Sequence, residues 1–439
     1  MSIDNISLFP QSTTVSPDGH LVIGRCDAVS LASRYGTPLY VLDEDHIRSK
    51  CREFKTAFTR LYQNTNVAYA SKACLNKAIT KIMAQEGMEL DVVSGGELAI
   101  ALSARFPAEK IYFHGNNKSE EELIYALENK IGHIVADNVT ELEIIDRLAR
   151  QIGHYPDVFI RITPGVQAHT HHHITTGHSG SKFGVYLDDA PETIRLAGKL
   201  NGINLVGLHC HLGSQLHETI PYTDALEVLL KLGKKMHDEQ GFNLKELSLG
   251  GGFGVSYTLE DNALPVENYA VAITGLMVSM CERLEIPLPR LIIEPGRSIV
   301  GPAGVTLYRV GMQKQAKGYE KYIAIDGGMA DNIRPALYDA KYVVAAAGKM
   351  LDTCTEKVTI AGKYCESGDI LAKDVMLPSV KAGDILAVPV TGAYCIPMAS
   401  NYNGALKPAV VMVGSGRSRL VRRREEYADL IRLDQDEGV

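Results

Sequence analysis

The sequence predicts a (β/α)8 TIM barrel followed by a C-terminal antiparallel β domain of the sandwich or Greek-key barrel type. Two observations carry this prediction. Before Gly301, short apolar runs alternate with amphipathic helical stretches, which is typical of folds built on a parallel sheet. After Gly301, short strand-like runs are separated by glycine-containing turns, and few helical stretches lie between them.

Eight apolar runs are candidate barrel strands. Their cores are continuously apolar, as expected for parallel strands that are buried on both faces. They are Val67–Ser71, Leu90–Ser94, Ile111–His114, His133–Asp137, Val158–Pro164, Leu205–His211, Glu246–Gly250 and Arg290–Glu294. Eight such strands fit a closed barrel, and an open doubly wound sheet is the structural alternative that this pattern leaves open.

Amphipathic stretches between these runs predict the helices. One of them begins Ser-Glu-Glu-Glu at Ser119, where a hydroxyl can cap the first turn and the acidic residues favour the positive end of the helix dipole. The predicted helices are Leu75–Gln85, Gly96–Arg105, Ser119–Lys130, Thr140–Ile152, Ala190–Leu200, Tyr222–Gln240 and Val266–Leu284.

The second domain is predicted from strand-like runs in the last third of the chain. They are Val305–Val310, Tyr322–Ile325, Lys357–Ile360, Asp384–Pro389 and Ala409–Val413. Two further runs, Leu21–Ile23 and Leu39–Val41, precede the barrel and are expected to pack with this domain. We therefore divide the chain into an N-terminal segment, 1–44, a barrel, 45–302, and a C-terminal β domain, 303–439.

Composition and charge exclude several classes of function. The formal net charge is −7 and no basic face dominates, so neither a nucleic-acid partner nor an anionic membrane surface is expected. No apolar run approaches the ~18 residues that a membrane-spanning helix needs. The N-terminal residues lack a secretory pattern, and the eight cysteines show no disulfide-like spacing. We therefore expect the protein to lie in a reducing cytoplasm.

Reactive residues cluster at the ends of the candidate strands. In such barrels the C-terminal strand ends form one rim, so residues that follow different strands converge there. A lysine after a strand is most often solvated, and a triple glycine is more often a tight turn than a phosphate cradle. Together, however, an amine, an aromatic ring, a phosphate-binding turn and a carboxylate are what a pyridoxal cofactor requires. The residues are Lys72, Ser94 to Gly96, His114, His209, His211, Gly213, Ser214, Gly250 to Gly252, Glu294, Gly296 and Arg297.

A histidine tract, His169 to His173 without Thr170, with His178 beyond it, could suggest a metal site. Adjacent histidines in a loop point in different directions, and no cysteine or carboxylate nearby completes a ligand set. We therefore predict no metal and interpret 167–184 as the loop that closes over the active site.

Longer motifs identify the family that the chain resembles. Tyr69 to Ala73, Asp91 to Glu97, His114 to Lys118, His209 to Gln215 and Glu294 to Arg297 resemble the barrel of the alanine-racemase-like decarboxylases. In the C-terminal half, the chain resembles the diaminopimelate decarboxylase branch of that family in three segments. They are Asn332 to Tyr338, Cys365 to Asp369 and Gly392 to Tyr394.

The resemblance implies pyridoxal 5'-phosphate as the cofactor and assigns roles around it. Lys72 would hold the cofactor covalently, His211 would stack on its ring, and Glu294 would pair with the ring nitrogen. The phosphate and the remaining cofactor contacts would fall to Ser214, Gly250, Gly251, Gly252, Gly296, Arg297 and Tyr394. The barrel would bind the cofactor, and the β domain would contribute to the active site. Cys74 departs from the asparagine that is common in the wider family.

The same resemblance implies the substrate, the proton donor and the assembly. Arg297 and Arg334 would bind a substrate carboxylate through their planar donor forks, and Glu366 would bind the distal ammonium. Tyr338 and Tyr394 would line the pocket. Cys365 would donate a proton from the neighbouring subunit of a homodimer, since a thiol is mostly protonated at neutral pH.

Alternative functions remain open at this point. A related decarboxylase of ornithine, arginine, lysine or a carboxylated polyamine has a similar barrel. Those enzymes typically carry an acidic residue in a Cys-Asp-Gly segment, whereas this chain has Cys-Glu-Ser-Gly-Asp and Arg334. A racemase would have no use for that segment. A catalytically inactive cofactor-binding homologue is a further alternative, against which Lys72 and Cys365 argue.

Overall fold

The computed structural model describes residues 2–166, 181–315, 317–318 and 320–435. Within them the chain divides into two compact units. The first, which we call the barrel, contains residues 50–255 and 263–298, and the second, the β domain, contains 1–49, 256–262 and 299–439. The histidine tract and residues 167–180 of the predicted closing loop, 167–184, lie outside the described residues.

The barrel is a closed ring of eight parallel strands among the residues described. Each strand pairs with its neighbour in chain order, and Arg290–Ile293 pairs with Thr65–Ala70 to close the ring. The closure confirms the predicted barrel and excludes the open doubly wound sheet. The strands are Thr65–Ala70, Glu89–Val92, Ile111–Phe113, His133–Ala136, Asp157–Thr163, Asn204–His209, Glu246–Ser248 and Arg290–Ile293, with the two-residue strand Val185–Tyr186 beside Asp157–Thr163.

Every predicted barrel strand is present, but each of these eight ends one or two residues earlier than the apolar run suggests. The backbone leaves the ladder at these positions to form turns. Gly250 has φ 69°, in the left-handed region, and Pro295 has no N–H with which to continue the ladder after Glu294. The residues after each strand are therefore carried on turns at the C-terminal rim.

Amphipathic helices cover the outside of the barrel strands. Ser119 caps one of them in a capping box with Glu122, as the sequence predicts. The interior is filled by Ala68, Tyr112, Val135, Phe159, Val206 and Ile292. The helices are Glu44–Leu61, Lys77–Gln85, Gly95–Ser103, Glu120–Glu128, Val139–Ile152, Ala190–Ala197, Ile220–Gln240 and Val266–Leu284.

The β domain contains one large sheet that is mostly antiparallel. Two of its pairings are parallel, Leu39–Asp43 with Ala409–Gly414 and Lys321–Ile325 with Glu356–Ala361, so the sheet is mixed where the sequence predicts antiparallel strands alone. The other strands of this sheet are Gly304–Lys314, Ala345–Ala346, Ile370–Leu377, Ile385–Pro389 and Arg417–Arg422.

A smaller sheet and short helices complete the described part of the β domain. The small sheet consists of Thr14–Val15, Leu21–Ile23 and Cys26–Asp27. The helices are Ala28–Tyr35, Arg297–Val300 at the boundary, Arg334–Tyr338, Cys395–Met398 and Tyr427–Ile431. No helix in the described residues is long and apolar enough to cross a membrane.

Gly207 provides a test of strand packing in the barrel. A Cβ atom added to it would lie 2.3 Å from the Glu246 carbonyl oxygen and 2.7 Å from the Phe159 ring. Since strands cannot move apart without breaking their ladder, we expect Gly207→Ala to lower the free energy of unfolding by about 1–3 kcal/mol in chemical denaturation.

Gly275 is the matched control for that substitution. It lies within the helix Val266–Leu284, and an added Cβ would have nothing within 4 Å. Gly275→Ala should raise the free energy of unfolding by about 0.5–1 kcal/mol through helix propensity. Equal effects of the two substitutions would contradict the packing described for Gly207.

Candidate active site

Lys72 lies directly beyond the first barrel strand. Thr65–Ala70 leads into a 3-10 turn, Ser71–Ala73, and the half-buried Lys72 is the central residue of that turn. The Tyr69 hydroxyl stabilises this turn by donating a hydrogen bond to the Cys74 carbonyl oxygen at 2.7 Å. The lysine amine is therefore carried by a fixed backbone.

Three consecutive glycines form the turn after the strand Glu246–Ser248. Gly250 and Gly252 have φ 69° and 99°, and a Cβ on Gly251 would lie 2.1 Å from the Glu294 carbonyl oxygen. The Gly251 N–H donates a hydrogen bond to His211 Nδ1 at 3.3 Å. Only glycine fits this turn, whose backbone amides are of the kind that binds anions.

Arg297 and Ser214 form a polar contact in the same unit. Arg297 Nε and Nη2 both donate to the Ser214 hydroxyl oxygen, at 3.2 and 2.9 Å. Gly296, which precedes Arg297, packs so closely that an added Cβ would lie 2.9 Å from the Ala70 Cβ. The backbone that precedes Arg297 is therefore fixed next to the first strand of the barrel, and the guanidinium lies against Ser214.

Glu294 is buried among neutral hydrogen-bond donors. The Ser248 hydroxyl donates to its Oε1 at 2.7 Å, and His209 Nε2 lies 3.2 Å from its Oε2. His114 Nε2 lies 3.6 Å from Oε1. Each carboxylate oxygen thus has one close neutral partner, which fixes the plane of the carboxylate.

Two buried carboxyl groups in this cluster differ in charge. Burial and the neighbouring Glu294 raise the pKa of Asp91 well above its ordinary value, so Asp91 gives up its proton less readily than Glu294 does. Burial opposes ionisation of Glu294 as well, but electrostatic attraction by His209 and His114, followed by hydrogen bonds from His209 and the Ser248 hydroxyl, lowers the pKa of Glu294 below its usual range. Glu294 is the ionised member of the pair.

Burial disfavours the charged form of the nearby histidines. Burial is the largest cause that lowers the pKa of His209, His114 and His211, and the positive charge of Lys72 lowers each pKa further. A neutral histidine carries a proton on only one ring nitrogen. In that form His209 donates a hydrogen bond to Glu294 without neutralising the charge of the carboxylate.

These groups fit a pyridoxal cofactor. An amine, an aromatic ring, an ionised carboxylate and an amide-lined turn are all present on the C-terminal side of the barrel strands. Several buried polar atoms there, Asp91 Oδ1, His114 Nε2, His209 Nδ1 and Ser71 Oγ, form no hydrogen bond with the residues that the structure describes. The ligand atoms of His114, His209 and Glu294 also lie within 4.8 Å of one another, close enough for a metal ion.

The other predicted site residues lie in the β domain. Arg334 and Tyr338 are the first and last residues of a short helix, and Arg334 is buried. Tyr394 has φ 68° and caps the helix Cys395–Met398. Cys365 is exposed, and its N–H donates to Asn403 Oδ1 at 3.0 Å. Glu366 is exposed beside it.

Comparison with known proteins decides which group the cluster holds. The pyridoxal-binding domain of pyridoxal-dependent decarboxylases matches residues 44–301. A diaminopimelate decarboxylase from Bacillus subtilis is 50% identical over 418 residues, which cover 95% of each chain.

The chain belongs to the diaminopimelate decarboxylase family. Its cofactor is pyridoxal 5'-phosphate.

Solved structures of family members have the same fold. Diaminopimelate decarboxylase from M. jannaschii, solved with L-lysine, has a TM-score of 0.91 and 37% identity and covers 97% of this chain and 98% of its own. The Helicobacter pylori diaminopimelate decarboxylase, also solved with L-lysine, has a TM-score of 0.85 and 33% identity, with 93% and 99% coverage. Both comparisons support the fold class predicted from the sequence.

The sequence analysis included His114 and His209 in the cluster at the strand ends but gave them no part in setting the charge of Glu294. Asp91 entered only through a family motif, and Ser248 was not singled out. Asp91, His209 and Ser248 are buried polar residues within barrel strands. A polar residue inside an otherwise apolar strand was therefore the signal that could have identified them.

Replacing Ser248 tests the role of the donors around Glu294. Ser248→Ala leaves a buried charge with one hydrogen bond fewer, which costs about 1.5–3 kcal/mol. We expect the affinity for pyridoxal phosphate, measured by fluorescence titration of the apo-protein, to fall about tenfold or more, since 1.4 kcal/mol corresponds to a factor of ten.

Ser298→Ala is the control, because the buried Ser298 hydroxyl has no hydrogen-bond partner among the residues described. Its cofactor affinity should stay within about twofold of wild type. An unchanged affinity in Ser248→Ala would show that Glu294 does not need this donor.

Proposed function

We propose that this chain decarboxylates meso-2,6-diaminopimelate to L-lysine and carbon dioxide. One observation carries the proposal: a buried, ionised Glu294 lies on the side of the barrel that carries Lys72, in a chain of the diaminopimelate decarboxylase family. L-lysine, the product, is also the molecule bound in two of the related structures.

Pyridoxal phosphate supplies an electron sink for the electron pair that carbon dioxide leaves behind. The residues of the barrel make that sink effective. The Lys72 amine holds the cofactor, and the Glu294 carboxylate keeps a proton on the ring nitrogen. His211 covers the ring, and the turn formed by Gly250 to Gly252, with Gly296, Ser214 and Tyr394, binds the phosphate.

The substrate has two amino-acid heads, and only one of them reacts. Arg297 and Arg334 present planar donor forks for the carboxylates, and Glu366 takes the ammonium of the head that does not react. Tyr338 and Tyr394 line the pocket. An amino acid without the second carboxylate would leave a buried arginine unpaired, which disfavours ornithine-type substrates.

The proton that replaces the lost carboxylate comes from Cys365 Sγ. Cys365 and Glu366 are both exposed on the β domain, which suits residues that serve a neighbouring subunit. We therefore propose a homodimer whose active sites are shared between subunits. All eight cysteines are free thiols, which fits a reducing cytoplasm.

Carbon dioxide release identifies the substrate. With pyridoxal phosphate, the purified protein should decarboxylate meso-diaminopimelate. Ornithine, arginine and lysine should be turned over at least about 100-fold less efficiently, because a substrate without the second carboxylate leaves buried hydrogen-bond donors unpaired. Lys72→Ala should abolish the reaction, and replacement of the exposed Lys81 by Ala should not. Preferred turnover of another amino acid would overturn the substrate assignment, and no turnover at all would favour an inactive homologue.

Mixing two inactive variants tests the shared active site. Lys72→Ala and Cys365→Ala should each be nearly inactive alone. Dissociated and reassembled at equal amounts, half of the dimers contain both chains and have one intact site of two, so about a quarter of wild-type activity should return. No recovery, despite mixed dimers detected by native mass spectrometry, would mean that both residues serve the same subunit.

A further inference from the structure

Arg334 is a buried cation without a carboxylate partner. It is 5% exposed, within the β domain, and it forms no salt bridge with any residue that the structure describes. Buried charges in proteins are normally paired, because an unpaired charge loses its hydration without compensation. An arginine in this state therefore indicates an anion that binds from outside.

Two tyrosines hold the Arg334 guanidinium. Arg334 Nη1 donates to the Tyr342 hydroxyl at 2.5 Å, and the guanidinium carbon lies 4.9 Å from the centre of the Tyr257 ring and 5.7 Å from that of Tyr342. The rings meet edge to face, with centres 5.4 Å apart and planes at 87°. The faces of aromatic rings stabilise a cation without neutralising it.

Tyr342 is itself fixed by buried groups. Its hydroxyl lies 3.7 Å from Cys395 Sγ, which lies 3.5 Å from Asn332 Oδ1. The same Asn332 oxygen accepts a hydrogen bond from the Arg334 backbone N–H at 3.4 Å. Burial is the main cause that raises the pKa of Tyr342 well above its ordinary value, so the hydroxyl keeps its proton. These contacts connect the Arg334 side chain, through buried side chains, to the Arg334 backbone.

We propose that Tyr342 and Tyr257 are positioning residues that hold Arg334 in place, still charged, for the carboxylate of the head that is not decarboxylated. This inference rests on the proposed function, because it assumes a substrate with two carboxylates. Tyr342 orients the guanidinium fork through its hydroxyl, and Tyr257 covers one face of it. Neither residue contacts the reacting carbon in this assignment, so their effect is on substrate specificity.

The chemistry of the reaction provides a selective probe. Decarboxylation removes one carboxylate of diaminopimelate, and L-lysine retains the other. Cadaverine has the same carbon chain and both amines but no carboxylate. A residue that acts through Arg334 must therefore affect L-lysine and leave cadaverine unchanged, whereas general damage to the pocket would weaken both.

The experiment measures the dissociation constants of L-lysine and cadaverine by calorimetry on the holoenzyme. Wild type should bind L-lysine more tightly than cadaverine. In Tyr342→Phe, the dissociation constant of L-lysine should rise about tenfold, as for a lost hydrogen bond to a charged group, and that of cadaverine should stay within about twofold. The KM for diaminopimelate should rise by a similar factor, with kcat little changed.

Three variants serve as controls. Tyr308→Phe removes another buried hydroxyl of the β domain, which donates to Asp331 Oδ2 at 2.5 Å, and should leave the ratio of the two dissociation constants unchanged. Tyr257→Phe keeps the ring and should also leave the ratio unchanged, whereas Tyr257→Leu should weaken L-lysine alone. Tyr257→Leu provides the test if Tyr342→Phe does not fold.

Equal weakening of L-lysine and cadaverine in Tyr342→Phe, or unchanged L-lysine affinity, would overturn the inference. So would a wild type that binds cadaverine as tightly as L-lysine, because Arg334 would then hold no carboxylate. These are binding measurements, so they remain interpretable if the wild type fails to decarboxylate diaminopimelate. That failure would count against the proposed function alone.

Discussion

The active site depends on keeping one buried carboxylate charged. A carboxylate inside a protein loses its hydration and tends to take up a proton unless hydrogen bonds replace the lost water. Glu294 receives those bonds from a serine hydroxyl and a histidine, and electrostatic attraction by His209 and His114 lowers its pKa further. Asp91 is equally buried, but its Oδ1 accepts no hydrogen bond from the residues that the structure describes, and its pKa is raised well above the ordinary value. The difference between these two carboxyl groups leaves Glu294 with its full charge to offer the pyridine nitrogen.

The parallel barrel is what brings these donors to Glu294. His209 and Ser248 are paired residues on adjacent strands, and Ser248 pairs in turn with Ile292, two positions before Glu294. The three side chains therefore come from three neighbouring strands at nearly the same height. Because all strands run in one direction, their C-terminal turns, including the triple glycine and the Lys72 turn, lie on one side of the barrel. The β domain shows the same principle around Arg334, where buried neutral groups orient a charge without cancelling it.

The sequence predicted the barrel well because eight continuously apolar runs leave few other folds, and strand closure then excluded the open sheet. It placed the ends of the barrel strands one or two residues too late. The apolar runs continue into turns, where glycine or proline takes the backbone out of the sheet. It missed the two parallel pairings in the β domain, because pairing direction depends on distant segments such as Leu39–Asp43 and Ala409–Gly414.

Motifs indicated Lys72 and Glu294, but not which buried residues set the charge of Glu294 or hold Arg334. Those depend on contacts between strands or loops far apart in sequence, as between Tyr257 and Tyr342. The closing loop and the role of Cys365 remain predictions.

The most direct test of the central claim is the rate of carbon dioxide release in a Glu294→Gln variant saturated with pyridoxal phosphate. The amide has nearly the same size and can still accept hydrogen bonds, but it cannot hold a proton on the ring nitrogen. With cofactor attachment to Lys72 verified by mass spectrometry, we expect a single turnover of diaminopimelate to slow by about 100-fold or more, the range typical of a lost proton-holding group. A rate within about threefold of wild type would contradict the account, because the charge of Glu294 would then contribute nothing to the reaction.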